Sequence, residues 1–193
     1  DAYHEEMVKD EKRVVLKLTS VGHDDPAAIR QRGRFAFWCY TKADRVVGVS
    51  PGLERLYRAS GLPQDTFRLI PNGVDLARFK PRGVEEQQAL RVTLGLSQDL
   101  VWILFVGFFS REKRPDLLFD AWTRLQGDGV PGTGLVFVGA TEGPYEEIDP
   151  TLFSDLQNRA RRVGLAHRVV SVPVTQTIEQ YYGAADCFAL PSV

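Results

Sequence analysis

The densest chemistry in the chain lies in Gly107-Phe108-Phe109-Ser110-Arg111-Glu112-Lys113-Arg114-Pro115. This segment follows a wholly apolar run, Val101-Trp102-Ile103-Leu104-Phe105-Val106, and leads into a helical pattern opened by Pro115. Gly107 allows close backbone approach at the end of the run. Arg111, Lys113 and Arg114 then place three cations at the mouth of a helix whose dipole favours anions. Guanidinium forks and an ammonium point charge suit a diphosphate. A solvated basic loop before a surface helix has the same spacing, so both readings stand at this point.

Other segments carry weaker signals. Gly139-Ala140-Thr141-Glu142-Gly143 follows a second apolar run and reads either as a ligand-approach loop or as a tight turn. His23, Asp24 and Asp25 follow the first apolar run, where an imidazole beside carboxylates can do acid/base work and where an Asp can equally cap a helix. His4 and His167 lie in polar surroundings and read as solvated, as does the acidic stretch Glu142, Glu146, Glu147 and Asp149, which lacks calcium-loop spacing. Neither a Walker phosphate loop nor a Gly-x-Gly-x-x-Gly following a strand is present, which argues against an ATPase or an ordinary dehydrogenase.

These segments need elements to hold them. Val14–Leu18, Arg45–Val49, Phe67–Ile70, Val101–Val106, Gly134–Gly139, Arg168–Val172 and Asp186–Leu190 read as buried strands. Between them lie helical patterns: 27–42, a helix after Ser50-Pro51, 84–94 closed by Gly95, and one led by Pro115 with Leu117, Leu118, Ala121, Trp122 and Leu125 on one face. A further stripe of Leu152, Leu156, Ala160 and Val163 stops at Gly164, and Thr177-Ile178-Glu179-Gln180 fits a capping box. Strands and helices alternate, and the strands are continuously apolar, so the expected class is α/β with parallel sheets covered on both faces. Pro71-Asn72-Gly73 is a strong turn, and the stretch to Gly83 has linker character.

Composition sets the outer bounds. The 193 residues carry a net charge of -1, which gives no reason to expect nucleic acid as a partner. Two distant cysteines, Cys39 and Cys187, form neither a disulfide framework nor a metal spacing and suit a reducing compartment, so a cytoplasmic location is expected. The N-terminus is acidic and polar, unlike a signal peptide. The chain does not start with Met and stops directly after a strand-like run, so we expect an excerpt of a longer protein.

Taken together, the segments resemble one family. Val46-Val47-Gly48-Val49-Ser50 with Leu53, then Ile70-Pro71-Asn72-Gly73-Val74-Asp75 with Phe79 and Pro81, resemble the interdomain region of family-four retaining glycosyltransferases. Leu104-Phe105-Val106-Gly107 and Arg111 to Leu118 resemble their first C-domain strand and phosphate loop. Ala185-Asp186-Cys187-Phe188-Ala189-Leu190-Pro191-Ser192 resembles the segment before their catalytic glutamate motif. The likeness runs in order from about residue 45 to the end. Gly22-His23-Asp24-Asp25-Pro26 is similar to acceptor-domain sequence in polysaccharide-building members.

The resemblance implies a GT-B fold with two Rossmann-like domains, both partial here. Residues 1–77 would be the C-terminal part of the acceptor-side domain and 78–193 the N-terminal part of the nucleotide-sugar-binding domain. It also implies transfer of a sugar, with retention, from a UDP- or GDP-sugar to a lipid-linked, oligosaccharide or polysaccharide acceptor, with no metal or other cofactor. Lys113 matches the diphosphate-binding lysine, Gly107 the strand-end glycine, Pro173 and Val174 the base-contacting backbone, and Asn72 and Gly73 the cleft floor at the hinge. His23 and Asp24 fall on the acceptor side. The family places Arg directly after the glycine, where this chain has Phe108, and Arg111 or Arg114 are the candidate substitutes. The paired glutamates of the motif would fall beyond Val193, and the excerpt alone is expected to be inactive. Peripheral association with the inner membrane face, through parts outside this chain, accompanies lipid-linked acceptors. Epimerases and phosphorylases of the same architecture, or a degenerate nucleotide-sugar binder, remain as alternatives.

Overall fold

The structure is a computed structural model that describes residues 13–126, 132–144 and 146–192. The chain forms two compact units, one up to Val74 and one from Asp75. In the first, β1 (Val15–Leu18), β2 (Arg45–Gly48) and β3 (Phe67–Leu69) form a parallel sheet in that order, with Leu16 opposite Val46 and Val46 opposite Phe67. Helices α1 (Pro26–Gln31), α2 (Arg34–Tyr40) and α3 (Pro51–Arg58) accompany it. Leu18, Tyr40, Val46, Leu53, Tyr57 and Phe67 form its core.

Local sequence explains these elements. Ser50 caps α3 by accepting from the Leu53 amide, with Pro51 in the first turn. The single helix expected over 27–42 is two, because Gly33 sits at φ 117°, outside the helical range that side-chain-bearing residues share. β1 is half exposed rather than buried: Leu18 is inside while Val15 is 60% exposed, the alternation of a strand with one face covered among the described residues.

The second unit holds α4 (Val84–Leu94), β4 (Val101–Val106), α5 (Pro115–Leu125), β5 (Thr133–Val138), α6 (Pro150–Arg162), β6 (Val169–Val172), α7 (Ile178–Ala184) and β7 (Cys187–Phe188). Its sheet is parallel in the order β6-β5-β4-β7, with Leu104 opposite both Val136 and Phe188. Every residue of β5 is buried, as a central strand with covered faces requires. One core contains Phe105, Phe137, Leu135, Trp122, Phe119 and Leu156. The other contains Trp102, Leu104, Val136, Val138, Leu96 and Ala184. Each large apolar side chain so buried contributes about 1.5–3 kcal/mol relative to exposure.

Two helix faces differ from expectation. In α5 the core takes Pro115, Leu118, Phe119 and Trp122, which follow the i, i+3, i+4, i+7 rule, while Leu117 and Leu125 are 42% and 39% exposed on its flank. In α6 Leu156 and Ala160 are buried, but Val163 lies past the helix end and is exposed. The capping box at α7 does not form: the Thr177 hydroxyl pairs with that of Thr175 at 3.1 Å, and its side chain makes no cap bond. No helix among the described residues is long and apolar enough to cross a membrane.

Candidate functional site

The carboxyl ends of β4 and β5 meet at a backbone cradle. Gly107 N donates to Val138 O at 3.0 Å and Gly139 N to Val172 O at 3.0 Å, extending the ladder just past the strands. Phe109 N then donates to Ala140 O at 3.1 Å, and the two loops part. Gly139 has φ 150°, and a Cβ there would lie 2.0 Å from Gly107 O. The loops therefore touch through bare backbone, and the space above them is a cleft of about 370 Å³.

The cleft is walled by apolar side chains, among them Val106, Phe108, Val138, Val174 and Ile178, with Lys113 as the cation on its lining. Sequence spacing offered three cations; the chain turns only one of them inward. Ser110 makes that turn. It is buried, its hydroxyl accepts from Lys113 N at 3.2 Å, and its carbonyl accepts from Arg114 N at 3.1 Å. Arg114 follows at φ 54°, ψ 49°, the only side-chain-bearing residue in the left-handed region among those described. Helix α5 thus starts abruptly, without a side-chain cap, beside the cleft wall.

Lys113 Nζ pairs with Glu112 Oε1 at 2.9 Å. Both groups are substantially solvated, and such a pair is worth only about 0–1 kcal/mol, so an incoming diphosphate can compete for the ammonium. Arg111 points elsewhere: its guanidinium holds Asp149 at 2.9 Å and borders a separate cleft with Glu146 and Glu147. Asp149 is no solvated carboxylate, because it caps α6 by accepting from Thr151 N at 3.1 Å. The Thr151 hydroxyl, its amide and Arg111 outweigh burial and hold Asp149 below the usual carboxylate range. Arg114 folds back onto Asp116 at 3.3 Å.

Of the donor-side residues singled out by sequence, Gly107, Phe108, Lys113 and Val174 line one cleft, while Arg111, Arg114 and Pro173 do not. Ser110, Thr175 and Ile178 were missed. Ser110 had a usable signal, a serine three residues before the lysine, the spacing at which a hydroxyl caps a turn. Thr175 and Ile178 are brought in only by the β6–α7 crossover.

Asn72 and Gly73 are exposed in the coil after β3, in the first unit. His23, Asp24 and Asp25 lie at the carboxyl end of β1, where the carboxylates serve the backbone. Asp24 accepts from Thr19 N at 2.9 Å, the Thr19 hydroxyl at 2.8 Å and Ser20 N at 3.0 Å, and these bonds lower its pKa. Asp25 is 3% exposed; burial pushes its pKa up, but bonds from Ala28, Gly22 and Ala27 amides outweigh that and leave it lowered. It is the N-cap of α1. His23 is exposed, with its carbonyl accepting from Arg32. His167 is exposed, and His4 lies outside the described residues.

Comparisons with known proteins give the family and the fold. Residues 86–193, more than half of the chain, match the model for glycosyl transferases group 1, and residues 17–78 match that for glycosyltransferase family 4. A D-inositol 3-phosphate glycosyltransferase of Xylanimonas cellulosilytica is 33% identical over 144 residues, 72% of this chain and 32% of that protein. An alpha-galactosylglucosyldiacylglycerol synthase of Streptococcus pneumoniae is 28% identical over 160 residues, 82% of this chain and 40% of that protein. The chain spans about a third of the length of the curated relatives it matches. Anabaena HepE, solved in complex with UDP and glucose, aligns with TM-score 0.71 at 20% identity, covering 94% of this chain and 46% of HepE. At that identity the likeness speaks for fold. Parallel α/β units with the cradle at their strand ends, and a family match over most of the second unit, establish that this chain belongs to the group 1 glycosyl transferases of glycosyltransferase family four and has the GT-B fold.

Proposed function

We propose that the second unit is the donor side of an enzyme that moves a sugar, with retention, from a UDP- or GDP-sugar to a lipid-linked, oligosaccharide or polysaccharide acceptor. The observation that carries this reading is Lys113 on the wall of a cleft made by bare backbone at the ends of β4 and β5. A sugar nucleotide presents an aromatic base, which suits apolar walls, and a diphosphate, which suits an ammonium beside a helix start. As the glycosidic bond to the diphosphate breaks, charge accumulates on its oxygens. Lys113 stabilises that charge, and the departing phosphate takes the acceptor proton on the same face. No metal is needed for the neutralisation. HepE's complex with UDP supports a uridine nucleotide as the first to test, and the glycolipid synthase among the relatives supports a lipid-linked acceptor.

Titration of UDP and GDP into the chain should give saturable binding of one of them, and Lys113→Ala should weaken it at least about tenfold, the loss of one charge-assisted bond. In the intact enzyme the same change should lower turnover, and the product should keep the donor's anomeric configuration by NMR. Unchanged binding and turnover in Lys113→Ala would remove the lysine from the mechanism. Phe108 favours a second reading, a binder without transferase activity, since an aromatic stands where the family has a phosphate-binding Arg. Donor binding by the intact protein without any transfer would select it.

A further inference from the structure

Asp149 joins two elements with one carboxylate. Its Oδ1 accepts from the Thr151 amide at 3.1 Å and from the Thr151 hydroxyl, which caps α6. Its Oδ2 accepts from Arg111, whose Nε lies at 3.1 Å and whose Nη2 lies at 2.9 Å. Its amide donates to Phe109 O at 2.8 Å. Asp149 therefore grips the loop after β4 on both sides of Ser110. The Phe109 side chain is sealed in the core, so the loop enters that grip from a fixed point. Ser110 is buried too, and its hydroxyl accepts from Lys113 N at 3.2 Å. A chain of contacts thus runs from the start of α6, through Arg111 and Ser110, to the backbone of the cleft's lysine.

We infer that Asp149 is a positioning residue for Lys113: paired with Arg111, it holds the loop in the turn that aims the ammonium into the cleft. Arg111 and Asp149 border a different cleft from Lys113, so both act from outside the site. The guanidinium that sequence spacing offered to a diphosphate serves the lysine instead. A charged group displaced by about 1 Å loses much of its effect on the charge it faces, which makes such support worth having. The inference rests on the donor reading of the cleft, because only there does the aim of Lys113 bear on binding.

Two variants break the grip with opposite changes of charge. Asp149→Asn keeps an acceptor for the α6 cap but turns an amide group towards Arg111. Arg111→Gln removes the guanidinium and leaves the cap whole. A pure field effect would tighten UDP binding in Asp149→Asn and weaken it in Arg111→Gln. Loss of positioning weakens both alike. By calorimetry each should bind UDP about threefold to fivefold more weakly than the parent, the range open to an exposed ion pair. The double variant should be no worse than either single one. Uridine, which lacks phosphate, should bind to all of them equally. On a Lys113→Ala background neither change should have a further effect. Should the chain select the guanine nucleotide, GDP and guanosine take these places. Opposite shifts, no shifts, losses shared equally by the nucleoside, or losses that persist without Lys113 each overturn the inference. In the free chain, amide exchange at Lys113 should accelerate in both variants while that of Leu156, within α6, stays as in the parent. If neither nucleotide binds to the parent, the donor reading fails by itself. Exchange at Lys113 then decides whether Asp149 holds the loop, and an unchanged rate overturns that as well.

Discussion

A methyl group on Gly139 would sit 2.0 Å from the Gly107 carbonyl oxygen, and backbone cannot move aside as a side-chain tip can. The φ of 150° adds strain for any residue with a Cβ. Gly107, the glycine that sequence spacing brought forward, is under no such constraint: its nearest would-be neighbours are Phe105 at 3.5 Å and Lys113 at 3.6 Å, ordinary contacts. Gly139→Ala should therefore destabilise by about 1–3 kcal/mol and part the loops that frame the cleft, whereas Gly107→Ala should cost less than about 1 kcal/mol. Thermal unfolding of the two variants, each with a UDP titration, measures both effects. Equal stability losses would show that the cradle relaxes and that its backbone contact is not what shapes the cleft. The same scale shows why local sequence misjudged the cations: type and spacing put Arg111, Lys113 and Arg114 together, but their aim depends on Ser110, Asp116 and Asp149, one of them 38 residues away.

At the scale of elements, β7 is only two residues long and lies at the sheet edge. One carboxylate supports its place. Asp186 Oδ2 accepts from Trp102 N at 2.7 Å and from the Arg91 guanidinium at 2.6 Å, while Arg91 Nε donates to Ala184 O at 2.9 Å. Arg91 is 6% exposed, so it ties α4 to the end of α7 and the start of β7 as a buried cation with its partners in place. Asp186→Ala should cost about 2–4 kcal/mol in urea denaturation, mostly the penalty of stranding Arg91, and Arg91→Met with Asp186→Ala should recover part of it. A loss below about 0.5 kcal/mol would mean that water replaces the carboxylate freely. This tie was illegible beforehand because Arg91 and Asp186 are 95 residues apart and each looks like an ordinary polar residue on its own element. What was legible is local. The apolar run Val101–Val106 is a strand, the run read at Gly134–Gly139 is one that starts and ends a residue earlier, Ser50-Pro51 opens a helix, and Gly95 ends one at φ 67°. The local reading failed where a competing local geometry won, as in the φ of Gly33 and in the Thr175–Thr177 hydroxyl pair that replaces the capping box.

At the scale of the molecule, two units whose cores share no residues should respond separately to acid. The first unit depends on Asp24 and Asp25, whose carboxylates accept backbone amides around the β1–α1 turn. Both have lowered folded-state pKa values, for Asp24 chiefly through Thr19 and for Asp25 through backbone bonds that outweigh burial. The sign follows. A carboxylate bound more strongly when ionised stabilises the fold fully above its unfolded pKa of about 3.9, and that stabilisation is lost as pH falls through the lower folded value. Removing the N-cap should cost about 1–2 kcal/mol at neutral pH. Asp25→Asn, which keeps the shape and gives up the charge, should therefore lower stability clearly at pH 7 and by less at pH 3, below the unfolded pKa, with the difference shrinking further as pH falls through the lowered folded value. Trp102 and Trp122 lie only in the second unit's cores, so their near-ultraviolet circular dichroism reports that unit. It should persist at the pH where amide exchange at Gly22, Ala27 and Ala28 first accelerates. If Asp25→Asn costs as much at pH 3 as at pH 7, the ionised carboxylate is not the source of the cap's stability. If the tryptophan signal collapses together with those amides, the two units do not fail separately.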